Sequence, residues 1–305
     1  MDRPGCGSCP RRAFMKKFYV VTNRMKDPEL ETTNYICRFL EEHGASAQMM
    51  VQPVHGKYET ETGEERSECM LQVPEGTECI LVLGGDGTLL QAARDTARLR
   101  IPLLGINLGT LGFLAQVEKS GIIGALTKLL EDQYGVEERM MLDGAVIRDG
   151  QEIGKVHALN DVVVNRSGRL MVLAYDVYVN GQLLNRYQAD GMILSTPTGS
   201  TGYNMSAGGP IVEPGAKMIV MTPICPHTLN TRSIVLSPAD TIEIEIGPGR
   251  AGIRQQAEIN FDGGLTRQLF TGDRVVVRKS EQTLRLIHLG NVSFLKLLHK
   301  KMSEN

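Results

Sequence analysis

The chain has 305 residues, 42% of them hydrophobic, with 33 Lys+Arg against 35 Asp+Glu. That length suits two domains of ordinary size, each able to bury a core. A formal net charge of −2 excludes binding driven by bulk attraction to nucleic acid or membrane surfaces, so an anionic ligand must be held by local geometry.

Residues 1–14 are rich in Gly, Pro and Arg and carry Cys6 and Cys9 as a lone C-x-x-C. We expect a disordered leader there, with Met15, ahead of KKFYVV, as a candidate natural start. No secretory signal is evident and no apolar run approaches the roughly 20 residues of a spanning helix. A cytoplasmic location is therefore expected. Cys37, Cys69, Cys79 and Cys225 then read as small core hydrophobes.

From residue 17 the pattern alternates. KFYVVTN (17–23) predicts a strand, and Asp27-Pro28 predicts the start of a helix that presents Ile36, Phe39 and Leu40 on one face and stops at Gly44. AQMMV (47–51) is a second strand, and the polar stretch 55–78 is a flexible connection. CILVL (79–83) leads through GGDGT into a helix ending near Leu99; PLLGIN (102–107) is the fourth strand, LGTLGFL (108–114) a Gly-rich turn, and 121–130 a further helix. Continuous apolar strands alternating with helices predict a parallel sheet covered on both faces. Beyond residue 140 the texture changes. Leu173, Tyr175, Val177 and Val179 alternate with other residues ahead of an Asn180-Gly181 hairpin signal, and TIEIEI (241–246), RVVVRK (274–279) and LRLIHL (284–289) are further strands. These predict a mostly antiparallel β-domain. Phe294, Leu295, Leu297 and Leu298 form the apolar face of a terminal helix expected to pack back on the first domain.

Several segments bear chemistry. A strand entering a glycine-rich turn and opening a helix gathers backbone N–H groups around one point, an anion site. Gly84, Gly85 and Gly87, with Thr88, suit close approach of phosphate. The Lys-Ser/Thr pair of a Walker A loop is missing, and Leu90 stands where G-x-G-x-x-G needs its last glycine. Asp86 repels phosphate, so it either binds a bridging divalent cation, accepts a proton from an attacking hydroxyl, or merely ties the turn. DGMILSTPTGSTGYNMSAGGP (190–210) is too long for a hairpin. Its Thr198, Ser200, Thr201 and Ser206 hydroxyls and the Tyr203 ring suit a ribose, an amide or an adenine. Asn160-Asp161 at a strand start, Phe113 beside a glycine in LGTLGFL and His227 in a proline-rich loop complete the candidates.

In this order, GGDGT (84–88), LGFL (111–114), LND (159–161), the 190–210 segment, PICPHTL (223–229) and RSIVL (232–236) resemble the landmarks of the NAD kinase family. The likeness spans 17 to about 290. GGDG alone also occurs in diacylglycerol and sphingosine kinases and, in related form, in phosphofructokinases; the TPTGSTGY stretch is the specific part. The resemblance implies a Rossmann-like, phosphofructokinase-like α/β domain (15–140), a C-terminal β-sandwich (141–290) and a closing helix (291–305). It implies transfer of phosphate from ATP to the adenosine 2′-hydroxyl of NAD⁺, with a divalent metal cation, Mg²⁺, in a homodimer or homotetramer. On that likeness Asp86 is the proton acceptor with Gly87 beside it, and Phe113 packs on a ring. Asn160 and Asp161 bind NAD, the latter where many members carry glutamate. Asp190 anchors the nicotinamide end. Thr201, Gly202, Tyr203, Asn204, Met205, Ser206 and Ala207 line the dinucleotide site, Gly202 standing where many members have alanine. Two rivals are a lipid kinase using GGDGT for ATP and a non-catalytic NAD(H)-binding regulator.

Overall fold

A computed structural model of the chain describes residues 14–52, 71–109, 112–168, 172–227, 232–290 and 293–303. The expected leader, Cys6, Cys9, Cys69 and most of the polar connection lie outside those residues. β1 (Lys17–Asn23) is buried over five consecutive residues, as a β-branched and aromatic run covered on both faces requires. α1 (Glu31–Glu42) follows. It begins later than the Asp27-Pro28 signal because Leu30 turns left-handed first, at φ 56°. Asp27 still caps it from outside, its carboxylate accepting the Thr33 amide (2.9 Å), the Thr33 hydroxyl (2.7 Å) and the Thr32 amide (3.3 Å).

β2 (Ser46–Gln52), β3 (Cys79–Gly84), α2 (Asp86–Thr96), β4 (Leu103–Asn107), β5 (Val117–Glu118) and α3 (Ile122–Leu130) complete the first half. β1 pairs in parallel with β2 and β3, β3 with β4, and β4 with β5. The strand order is β4-β3-β1-β2, so the chain winds one way from β1 and the opposite way from β3. Ile36 and Leu40 of α1 and Leu126 of α3 pack on one face, and Leu89, Ala92 and Ala93 of α2 on the other. The reversal falls between the carboxyl ends of β1 and β3, where open α/β sheets leave a crevice for ligands.

The second half contributes β6 (Gly135–Arg148), β7 (Gln151–Ala158), β8 (Asp161–Arg166), β9 (Leu173–Val179), β10 (Gln182–Ala189), β11 (Gly191–Ser195), α4 (Tyr203–Ser206), β12 (Ile219–Ile224), β13 (Ile234–Leu236), β14 (Ile242–Ile246), β15 (Gln256–Phe261), β16 (Leu265–Phe270), β17 (Arg274–His288) and α5 (Phe294–Ser303). Six strands, in the order β13-β12-β11-β8-β15-β16, form a wholly antiparallel sheet. The rest extend the first sheet to eleven strands, ordered β10-β9-β14-β17-β4-β3-β1-β2 with β5, β6 and β7 attached. The segments expected as two strands, 274–279 and 284–289, are one strand, β17, with an irregular register between Lys279 and Thr283. β17 runs antiparallel to β14 and β6, and parallel to β4 where Leu286 stands opposite Leu103. Asn180 and Gly181 both have positive φ, 51° and 76°, as the hairpin between β9 and β10 requires.

The antiparallel part of the large sheet packs on the six-stranded sheet as a sandwich. Tyr175, Val177, Ile244 and Val275 meet Val164, Met192, Leu194 and Met221 in one buried cluster. α5 lies against the turn after β4: Leu297 is buried, the Phe294 ring lies 6.3 Å from that of Phe113, and Lys300 pairs with Glu118 at 3.5 Å. Among the described residues no helix is long and apolar enough to cross a membrane. Replacing Asp27 by alanine should lower stability by about 1–2 kcal/mol, the worth of a strong helix cap, read as a shifted midpoint in urea unfolding with an unchanged slope.

Candidate active site

Gly84 ends β3 and Asp86 is the first residue of α2, so GGDGT is the strand–turn–helix junction its pattern predicts. A Cβ on Gly85 or Gly87 would meet nothing within 4 Å. That open backbone, at a helix N-terminus whose first amides lack intrahelical partners, is suited to an anion. Gly84 faces inward instead: a Cβ there would stand 2.4 Å from the Thr88 hydroxyl. Thr88 is buried and its hydroxyl accepts from the Asn23 amide at 3.0 Å. Thr88 thus fastens the loop to β1, with Gly84 packed beneath it, while Gly85 and Gly87 present open backbone.

The Asp86 carboxylate accepts three backbone amides from the next turn: Phe113 at 2.9 Å on Oδ2, and Leu114 at 3.3 Å and Ala115 at 3.1 Å on Oδ1. A carboxylate offers about four lone-pair directions, so three are engaged and one, on Oδ2, is left. Gly112 makes the approach possible, since a Cβ there would lie 2.1 Å from Asp86 Oδ1. Sequence reasoning did not single out Gly112; its signal was the glycine immediately before Phe113.

On the other side of the crevice, Leu159 is buried among the α2 side chains, and Asn160 and Asp161 open β8. All three amides of this turn donate to Asp262: Leu159 at 2.9 Å, Asn160 at 2.7 Å and Asp161 at 3.2 Å. Asp262 is buried and faces Arg94 of α2 at 3.5 Å. Asp161 is also buried and, among the described residues, pairs with no group of opposite charge; burial, reinforced by the charge of Asp262, pushes its carboxyl up to about 7. Asp262, in the FDGG turn after β15, was likewise not anticipated.

The 196–212 loop packs onto this turn. The Thr196 hydroxyl donates to the Leu159 carbonyl at 2.6 Å, and Gly199 is required because a Cβ would stand 2.1 Å from the Asn160 carbonyl. At Gly202 a Cβ would lie 3.2 Å from the Gly199 carbonyl, 3.6 Å from Asn160 Nδ2 and 3.9 Å from Asp161 Oδ2. That places Gly202 beside both polar side chains and gives an alanine there only one tight contact. Ser200 and Asn204 serve the loop itself. The Ser200 hydroxyl bonds Pro197 and Val212, while the Asn204 amide spans the Ser200 and Pro210 carbonyls and its oxygen accepts from Thr222. Tyr203, Met205 and Ser206 are exposed, and Thr201 and Ala207 half-buried. Asn160 Oδ1 and Thr198 Oγ1 are buried without hydrogen-bond partners among the described residues.

A cleft of about 210 Å³ lies between the turn after β4, the Thr198–Thr201 segment and the start of α5, lined among others by Phe113, Leu114, Thr198, Thr201, Arg139 and Phe294. Asp190 lies elsewhere. It pairs with Arg166 at 2.8 Å where β11 begins, whereas Asp161 stands opposite Ser195 at that strand's other end, roughly 17 Å away at the usual strand rise. His227 is exposed and its amide donates to the Gln188 carbonyl, again near Asp190.

The site therefore has the parts of a nucleotide phosphotransferase: an open glycine loop at a helix start, a fixed acid, and a polar cleft with unsatisfied groups. Residues 18–134 match the ATP-NAD kinase N-terminal domain and residues 159–289 the ATP-NAD kinase C-terminal domain. The NAD kinase of Lachnoclostridium phytofermentans is 43% identical over 95% of this chain and all of its own length; that of Agathobacter rectalis is 45% identical over 94% and 99%. Among solved structures, yeast NADH kinase complexed with NADH superposes with a TM-score of 0.79 at 24% identity, covering 96% of this chain and 90% of that one. An NAD kinase from Archaeoglobus fulgidus in complex with ATP gives 0.70 at 23%, covering 94% and 99%. The chain belongs to the NAD kinase family, enzymes that use ATP to convert NAD to NADP, and the lipid-kinase and regulator alternatives give way.

The Asp161 carboxyl gives a pH signature. Because its folded pKa lies above the unfolded one, the unfolded chain loses that proton first, and stability falls as pH rises from about 4 to about 7 by up to about 1.4 kcal/mol per unit. Asp161→Asn should remove this slope. Urea midpoints should then show the variant's advantage over wild type growing across that interval and levelling above it.

Proposed function

We propose that the γ-phosphoryl of ATP passes to the adenosine 2′-hydroxyl of NAD⁺, with Asp86 as the proton acceptor. The observation that carries this reading is the grip on Asp86: three amides hold the carboxylate in place and leave one lone pair for a hydroxyl. Gly85 and Gly87 receive donor phosphates at the start of α2. Phosphoryl transfer asks mainly for positioning and charge neutralisation, which fits a site rich in fixed amides. Asn160 Oδ1 and Thr198 Oγ1, buried and unpaired, await polar groups of the dinucleotide, and Phe113 packs on its ring. Asp161, Thr201, Gly202, Tyr203, Met205, Ser206 and Ala207 form the wall around them. Asn204 supports that wall from within.

In this reading residues 15–140 supply the donor loop and the acid, 141–290 the dinucleotide pocket, and 291–305 a helix that closes the cleft beside Phe113. Among the described residues no three His, Cys, Asp or Glu side chains converge to hold a metal. The divalent cation in this reading is Mg²⁺, which keeps several waters and is carried mainly by the substrate's phosphates. With the last Asp86 lone pair turned to the hydroxyl, the ion would be held by the donor phosphates at Gly85 and Gly87 and by its own waters, and it would neutralise phosphate charge. Asp190 stands at the far end of β11 from Asp161, where it would meet the nicotinamide end of an extended dinucleotide, its own or that of a second copy. The homodimer or homotetramer that the family resemblance implies is part of the same proposal.

Formation of NADP⁺ from NAD⁺, ATP and Mg²⁺ in a coupled absorbance assay tests the transfer. Asp86→Asn should keep NAD affinity and lose about 10²–10⁴ in kcat, the range for a general base; unchanged turnover removes Asp86 from the chemistry. Thr198→Ala and Asn160→Ala should raise the KM for NAD⁺ more than they lower kcat, and a KM left alone by both would displace the pocket.

A further inference from the structure

Arg94 lies eight residues after Asp86 on α2, outside every motif discussed above, and it reaches across to the other half of the molecule. Its Nη1 stands 3.5 Å from Asp262 Oδ2 and 3.4 Å from the Phe261 carbonyl. The FDGG turn is shaped around it: a Cβ on Gly264 would lie 2.6 Å from Arg94 Nη2. Asp262, fully buried, has its carboxylate occupied by the amides of Leu159, Asn160 and Asp161, and its own amide donates to the Asp161 carbonyl at 3.1 Å. A buried carboxylate holds such a grip only while its charge is balanced, and Arg94 is the cation facing it. One helix therefore carries the acid at its first residue and, two turns on, the counter-ion for the residue that fixes the Asn160-Asp161 turn.

We infer that Arg94 and Asp262 are positioning residues for the dinucleotide: the ion pair sets the Asn160-Asp161 turn in register with the Asp86 end of α2. Neither residue needs to touch substrate. The pair acts by keeping three amides locked on one carboxylate, so that the side chains of Asn160 and Asp161 point where a ligand meets them already arranged. Loosening the turn then weakens NAD⁺ binding before it slows transfer, because the donor loop at the other end of α2 is held independently, through Thr88 and Asn23. The inference rests on the NAD kinase reading for its kinetic consequence only.

The experiment compares wild type with Arg94→Gln, Arg94→Lys and Gly264→Ala in the full-length protein. Gly264→Ala is the gentlest, since the added methyl displaces the flexible end of one side chain and leaves Arg94 its charge. Amide hydrogen exchange at Leu159, Asn160 and Asp161 should quicken at least about tenfold in Arg94→Gln and Gly264→Ala, with Val162, Val163 and Val164 in β8 unchanged. The KM for NAD⁺ should rise about five- to tenfold, with the KM for ATP and kcat within about twofold of wild type; Arg94→Lys should recover part of both effects. Unchanged exchange overturns the clamp, and faster exchange with an unaltered KM for NAD⁺ overturns its positioning role. Equal rises for ATP and NAD⁺ overturn it too, as they would report general distortion of α2. If Arg94→Gln does not fold, Gly264→Ala decides. Should wild type make no NADP⁺, the kinase reading falls while the exchange measurement still judges the clamp.

Discussion

A carboxylate that collects hydrogen bonds from successive backbone amides is the device on which this site depends, and the chain uses it repeatedly. Asp86 gathers the amides of Phe113, Leu114 and Ala115, and Asp262 those of Leu159, Asn160 and Asp161. Asp27 does the same on a smaller scale at the start of α1. Amides where loops meet strands and helices lack regular partners, and leaving them buried without acceptors is costly. An acidic side chain satisfies several at once and fixes the loop's path. Charge-assisted bonds of this kind are stronger than neutral ones, which suits segments that must hold their shape without a ligand.

The glycines around these carboxylates follow from the same constraint. Gly112 and Gly199 are places where a methyl group would strike a carboxylate or a carbonyl, and Gly264 one where it would strike a guanidinium. Their role is clearance. Gly85 and Gly87 differ, since none of the described residues fills the space before them. Two kinds of glycine thus serve one site, one closing the protein on itself and one leaving it open.

Much of this was legible in the residues. The GGDGT junction could be read because β3 is wholly apolar and the helix behind it shows its period, and TIEIEI because Ile242, Ile244 and Ile246 face the core while the glutamates do not. Other features were hidden for physical reasons. FDGG looks like an ordinary hairpin turn, and nothing local reveals that its aspartate serves amides about a hundred residues away. Ser200 and Asn204 advertise polar groups suited to a ligand, yet the loop consumes them to satisfy its own carbonyls. Asp27 signalled a helix start correctly in kind but not in position, because a left-handed Leu30 intervenes. The union of the parallel and antiparallel strands into one sheet depends on the register of β17 with β4, a pairing between residues far apart in the chain.

That strand carries a mechanical consequence. β17 is hydrogen-bonded to β14 and β6 along one stretch and to β4 and β6 along another, so a single rod of backbone is built into both halves. Bending the halves apart would mean breaking a sheet across its middle. Access for two bulky nucleotides must then be granted by the loops that rim the crevice, and the frame beneath them stays the same shape whether the crevice is full or empty.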